Sequence, residues 1–215
     1  MESRIKTLLK LLKNPQKLRV LLSLEYFGYL KDKNWLSSVL AKESIGTDDK
    51  PLPWFTYPFI DFLKDRLSKE MSVLEFGSGN STIWFSDKVN KITSIEHDKS
   101  WFEKVKTKLS ENSKIILNES SVNDYHRIIE RLDEKFNIII VDAIDRVNCL
   151  KTASSYLHEN GVVILDNSNR SEYAEGIDFL INDGFKKIDF YGMTPIITSE
   201  SCTTVFYKPN NCLNI

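Results

Sequence analysis

Neither sign of charge prevails in this chain, where 29 lysines and arginines stand against 30 aspartates and glutamates in 215 residues. No long-range field therefore draws it to nucleic acid, and no nucleic-acid partner is expected. Cysteine is scarce as well. Cys149, Cys202 and Cys212 are too few and too widely spaced for a disulfide framework or a zinc pattern, which points to a reducing, cytoplasmic setting. No apolar run approaches the ~20 residues of a membrane span, and there is no internal repeat or low-complexity tract. What remains is a chain with 41% hydrophobic residues, enough for one domain with a full core and a small N-terminal appendage.

The stretch that organises the chain is Met71 to Thr82, reading MSVLEFGSGNST. A short apolar run, Met71 to Phe76, predicts a buried strand. Gly77-Ser78-Gly79 predicts a tight turn whose glycines permit φ > 0 and close approach of a ligand. Asn80, Ser81 and Thr82 are N-cap types that start a helix beneath that ligand. A dinucleotide fingerprint would place a third glycine where Thr82 stands, which argues against a pyrophosphate reader. The next strand, in Ile92 to Asp98, ends in Glu96, whose carboxylate could accept hydrogen bonds from both hydroxyls of a ribose. A strand, turn and helix with an ordinary surface glutamate is the plain alternative.

Glu75-x-Gly77-x-Gly79 with Glu96 resembles the class I S-adenosylmethionine-dependent methyltransferases, from about Pro53 to Lys208. The resemblance implies that Gly77, Ser78 and Gly79 pass under the methionine part and ribose, with Ser81 and Thr82 at the helix start. It places Glu75 near the amino group, Glu96 on the ribose hydroxyls and His97 beside the adenine. Asn118 and Glu119 stand where this family contacts the adenine ring, though Asn118 to Ser121 reads equally well as a turn capping the next helix.

The rest of the domain alternates strand and helix. Helices are expected over Trp101 to Leu109, Ser121 to Leu132, Val147 to Leu157 and Glu172 to Asn182. Strands are expected over Lys114 to Leu117, Phe136 to Val141, Gly161 to Leu165, Lys186 to Tyr191 and Thr203 to Tyr207. The fold class is α/β. It is a Rossmann-like, seven-stranded, mostly parallel sheet with helices on both faces, and its last strand is antiparallel because no helix separates the final two.

Residues 1–50 form a helical extension to a domain of residues 51–215. Ile5, Leu8, Leu9 and Leu12 share a helical face among lysines, and a second helix is expected from Gln16 to about Leu30. The lysine density argues against a signal peptide. Such a basic amphipathic helix could rest weakly on an anionic membrane surface, pair with another subunit, or cover an edge of the main domain.

Methyl transfer needs orientation and a way to remove the acceptor's proton. Asp142 at the end of the fourth strand, with Asp166 and Asn167 after the fifth, resembles the metal-dependent O-methyltransferases, which implies Mg²⁺ held by these three residues. Asp145 stands where those enzymes carry a lysine base, and Arg146 follows it. Asp142 and Asp145 are the catalytic candidates, although Asp145 could equally cap the next helix. The competing account makes Asp166 and Asn167 turn caps, with Asp142 ordering the cofactor amine. Arg146 and Arg170 either grip an anionic substrate or form solvated salt bridges; His126 and His158 are expected on helices as surface or packing residues.

The acceptor wall would come from Trp54 to Tyr57, the segment after Asp142, Ser168 to Tyr173 and the loop Gly192 to Ser201. A hydroxyl on a small molecule or sugar is the expected acceptor. N-methylation is the alternative, although the Asp-Pro-Pro-Tyr-type motif of amino-group methylators is missing after Val141. A catalytically inactive cofactor-binding module of the same fold is a further one.

Overall fold

The structure is a computed structural model that describes the chain from Arg4 to Ile215. Among the described residues seven strands form one sheet: β1 (Ser72–Phe76), β2 (Lys91–Glu96), β3 (Ser113–Leu117), β4 (Phe136–Val141), β5 (Leu157–Asp166), β6 (Lys186–Gly192) and β7 (Ser201–Tyr207). Their order is β3-β2-β1-β4-β5-β7-β6. Strands β1 to β5 pair in parallel, and β7 runs antiparallel to both β5 and β6, as the missing crossover helix requires.

The continuous apolar runs of the central strands are explained by burial on both faces. Val73, Ile138, Ile140, Val162, Ile164 and Val205 point to one side, where they meet α5 (Tyr57–Lys64) and α6 (Asn80–Ser86). Leu74, Phe76, Ile139, Val141, Val163, Leu165 and Phe206 point to the other, toward α8 (Arg146–Ala153), α9 (Ala174–Asn182) and the 3-10 segment Val122–Arg131. The period of two along each strand divides the core into these two clusters. α7 (Lys99–Lys106) packs outside β2 and β3.

Several element boundaries differ from the sequence reading. The second N-terminal helix breaks early: α2 (Pro15–Tyr26) ends at Phe27, Gly28 turns at φ +97°, and a single turn, α3 (Tyr29–Asp32), follows. A further helix, α4 (Trp35–Ala41), fills the stretch before the loop, with Trp35 and Ser38 buried. The segment after β3 is 3-10 rather than α, and its Ser121 hydroxyl donates to Asp124 (2.8 Å) instead of capping the backbone. β5 begins four residues before Gly161, because His158, Glu159 and Asn160 are exposed and carry no apolar signal. His158 therefore lies on a strand, not a helix.

The N-terminal extension is of two kinds. α1 (Arg4–Leu12) packs on α2, and α2 on α3, with no residue of α2 buried. The side chains of Ile5 and Leu8, which the sequence places on the apolar face of α1, lie outside those described. From Tyr29 onward the chain joins the domain: Tyr29 meets Tyr57 edge-on, Leu30 and Leu36 pack on the core, and Lys33 bonds Asp61 at 2.5 Å.

Phe59 on α5 is fully buried and contacts the rings of Phe55, Phe62 and Phe190, which joins that helix to β6. Phe59→Ala should destabilise the protein by about 3–5 kcal/mol, the range for a truncated buried aromatic. Urea titration followed by circular dichroism checks this, and a loss under 1 kcal/mol would contradict the packing described.

Candidate functional site

The carboxyl ends of β1 and β4 lie side by side, at the point where the strand order reverses, and open α/β sheets bind ligands in such crevices. β1 hands the chain to Gly77 (φ +106°) and Gly79 (φ +155°), and α6 starts at Asn80. Gly77 is required sterically as well as conformationally, since a Cβ there would stand 2.5 Å from the backbone oxygen of Asp142. At Gly79 a Cβ would meet only the Trp101 ring, at 3.7 Å, which is ordinary contact.

Hydroxyl groups hold this turn to the strand. Gly79 N–H donates to Thr82 Oγ1 (3.1 Å), and Thr82 donates to Glu75 Oε2 (2.6 Å). Ser94 on β2 donates to the same oxygen (2.8 Å), and Ser81 donates to Oε1. Glu75 is 1% exposed. Desolvation pushes its carboxyl up to about 7 against the three hydroxyl bonds that favour the charged form. Its carboxylate is thus engaged inside the protein and not directed at the crevice, where the sequence reading placed it beside a cofactor amine.

Glu96 ends β2 with Oε1 accepting from the backbone N–H of His97 and of Asp98, each at 2.9 Å, while Oε2 accepts from the Ser78 hydroxyl at 2.6 Å. A serine of the glycine turn therefore occupies the carboxylate oxygen assigned to a ribose. Trp101, a residue the sequence reading treated only as the start of a helix, donates from Nε1 to Ser78 O (2.9 Å) and covers the turn. His97 sits at the rim, 3.2 Å from Glu96 and edge-on to Tyr125. Asn118 is buried and orders its own turn, donating to Tyr125 O (3.0 Å) and accepting from Ser120 (2.6 Å), and Glu119 is exposed.

A cleft of about 290 Å³ opens here. Residues 78–81, Trp101 and Asp142 line it together with residues 41–44, Trp54 and Ile196. Of the positions predicted for the cofactor, Ser78, Gly79, Ser81 and Asp142 line it, whereas Glu75, Gly77, Thr82, Glu96, His97, Asn118 and Glu119 stand behind or beside it. Trp54 is cleft wall, held by Nε1 to Thr194 Oγ1 (3.1 Å), while Tyr57 is core.

Two wall features had no sequence signal. The Ser44 hydroxyl is buried without a hydrogen-bond partner among the described residues, while its backbone oxygen accepts from Asn80 Nδ2 (2.8 Å). Ile196, a β-branched residue, is held at φ +75° in a γ-turn closed by Ile197 N–H to Pro195 O (2.9 Å).

The strand-end acids do not fit the expected Mg²⁺. Arg146 fills the space among them: its guanidinium donates to Asp142 Oδ1 (2.7 Å), Asp166 O (2.5 Å), Asn167 Oδ1 (3.2 Å) and Ala143 O (2.9 Å). Asp166 is turned away to accept from Thr203 (2.8 Å), and no cluster of three or more acid, histidine or cysteine ligands exists among the described residues. The guanidinium provides the positive charge that a metal would have supplied, and a second cation there would meet it at close range. Burial and the nearby Asp142 push Asp166 up to about 8. Arg146 is therefore a half-buried partner of Asp142 rather than a solvated one, and Arg170 is exposed.

Asp145 takes the N-cap position of α8 at φ +55°, yet its side chain caps nothing. It accepts from Asn148 Nδ2 (2.7 Å) and lies 2.9 Å from His126 Nδ1. The sequence reading missed this pair because the two residues belong to different elements, 19 positions apart.

Gly77→Ala should lower stability by about 2 kcal/mol or more and disorder the turn, since both φ and the Asp142 contact oppose a side chain. A thermal melt checks this, with wild-type stability the contrary outcome. Glu75 gives a pH dependence. Its folded pKa lies above its ordinary value near 4.5, so the stabilisation is full below that value and is lost as pH rises toward 7. Unfolding free energies at pH 4.5 and pH 7 should differ by on the order of 3 kcal/mol from this group, and Glu75→Gln should remove most of the difference.

No family model matches the sequence, and no curated protein matches it. Solved structures do. The cofactor-bound protein Rv0187 from MTB superposes with a TM-score of 0.56 at 16% identity, covering 92% of this chain and 98% of its own. An rRNA methylase from Streptococcus thermophilus gives 0.55 at 17%, with 69% and 92% covered. SMU.1697c from Streptococcus mutans, in complex with S-adenosylhomocysteine, gives 0.52 at 15%, with 69% and 94% covered. Together with the strand order and the glycine turn at the switch point, these likenesses identify the fold as that of the class I S-adenosylmethionine-dependent methyltransferases.

Proposed function

We propose that the protein is a cytoplasmic S-adenosylmethionine-dependent methyltransferase that methylates a hydroxyl on a small molecule or sugar without a metal ion. The observation that carries this reading is the meeting of the glycine turn and Asp142 around one cleft at the strand-order switch, with Glu96 bonded to that turn through Ser78. S-adenosylmethionine, when bound, supplies a methyl group on a sulfonium, and the residues of this chain need only position it and manage one proton.

Gly77 and Gly79 keep the turn low enough for close approach. Glu96 would hold the ribose hydroxyls in place of the Ser78 hydroxyl, a replacement of like by like that would leave its two backbone bonds intact. His97, Asn118 and Glu119 would border the adenine, and Trp101 and Ser44 wall the cleft. Glu75, Ser81 and Thr82 act from behind by fixing the turn.

Asp142 faces the cleft and accepts the acceptor's proton. Burial raises its carboxyl, which brings it closer to the range in which a general base works, while the Arg146 guanidinium opposes that rise and holds the carboxylate in place. Asp145 is engaged with His126 and Asn148. The near balance of 29 basic and 30 acidic residues supports a small acceptor over a nucleic acid.

Calorimetry with S-adenosylhomocysteine tests the cofactor. Wild type should bind, and Glu96→Ala should weaken binding by about 1.5–3 kcal/mol, the scale of a hydrogen bond to a charged group. Turnover of hydroxylated metabolites and sugars should persist in EDTA and fall about 10²–10⁴-fold in Asp142→Asn. No binding at millimolar ligand removes the methyltransferase reading, and loss of turnover in EDTA removes the metal-free step.

A further inference from the structure

The first two helices expose an unusual amount of apolar surface. On α2, Leu22 and Tyr26 are 49% and 71% exposed and share a face by their spacing of four, Leu21 beside them is 45% exposed, and Phe27 follows at 58%. Leu9 and Leu12, three positions apart on α1, are exposed as well. Soluble monomers rarely leave such side chains together without a use for them. The domain leaves them exposed: no residue of α2 is buried, whereas Tyr29 and Leu30 pack against the body.

Charge indicates what does. Arg4, Lys6, Lys10, Lys13, Lys17 and Arg19 fall within the first twenty residues, and no acid occurs between Arg4 and Leu24. In a chain of net charge −1 this segregates positive charge at one end. A second copy of the chain would bring six bases against six with no acid of the segment between them, which opposes a symmetric pairing. An anionic lipid surface offers the opposite charge, an apolar layer for the leucines, and an interface suited to Tyr26 and Phe27.

The geometry favours lying flat. α1 has 9 residues and α2 has 12, both too short to cross a bilayer, and no described helix is long and apolar enough to do so. Asn14 caps α2 by accepting from Lys17 N–H (3.0 Å), with Pro15 next, so the chain turns a defined corner between the two helices. α3 and α4 then lead directly into residues 41–44, which wall the cleft.

We propose that α1 and α2 dock on an anionic lipid bilayer, with their leucines and aromatic rings entering the headgroup layer and their lysines and arginines against the lipid charges. This docking is independent of the methyl-transfer reading. It is tested by co-sedimentation of the full chain with vesicles of phosphatidylcholine, alone or mixed with phosphatidylserine.

The protein should pellet with the mixed vesicles, at least tenfold more weakly with phosphatidylcholine alone, and progressively less as salt is raised. Lys13→Ala and Lys17→Ala should each weaken binding roughly fivefold, and Leu21→Glu with Leu22→Glu should abolish it while the circular dichroism spectrum and melting temperature stay unchanged. Equal pelleting with both lipids, no pelleting with either, or a leucine double variant that binds like wild type overturns the proposal. So does light scattering that shows a dimer dissociated by that double variant, because the apolar face would then belong to a second copy.

Discussion

A buried carboxylate whose partners are hydroxyl groups holds the centre of this molecule. Glu75 joins the end of β1 to α6 through Ser81 and Thr82, and to β2 through Ser94, while Thr82 in turn receives the Gly79 amide. Burying an unpaired carboxylate is costly, and the three hydroxyl bonds offset only part of that cost, which is why its pKa rises to about 7. The turn that receives the ligand is therefore set by a polar network inside the domain, and the cleft inherits its shape from that network. Gly77 completes it, since a side chain there would collide with the Asp142 carbonyl at the end of the neighbouring strand.

The second constraint is the positive charge at the ends of β4 and β5. Two acids on adjacent strands need a counter-charge, and a metal ion or a guanidinium can provide it. Here Arg146, the first residue of the helix that follows Asp142, reaches back to the Asp142 carboxylate and across to the Asp166 backbone oxygen. The pairing is local in sequence, so it forms with α8 itself and requires no external ligand. Asp142 is left facing the cleft with one oxygen anchored, which suits a group that must exchange a proton without moving.

Much of the fold was legible because its signals are local or periodic. The apolar run Phe136 to Val141 corresponds residue for residue to β4, and the glycine turn, the following helix and the final hairpin lie where spacing placed them. The errors came where polar residues occupy regular structure, as at His158 to Asn160 in β5, or where one glycine interrupts a helical pattern, as at Gly28. The site was legible only as a list of candidates. Glu75 and Asn118 carry the expected residue types at the expected positions, but their side chains are engaged with neighbouring groups that spacing cannot reveal.

Sequence by itself determined the order of the seven strands and the chemical types gathered at the carboxyl edge, because these follow from apolar runs and from a few backbone-breaking residues. Only the tertiary structure decided which of those groups are free to act. Arg146 rather than a metal sits among Asp142, Asp166 and Asn167, His126 meets Asp145, Trp101 covers the glycine turn, and residues 41–44 wall the cleft. The reason is physical: a hydrogen bond or ion pair is made by whichever partner lies within about 3 Å, and that distance is fixed by how the helices pack on the sheet, not by separation along the chain.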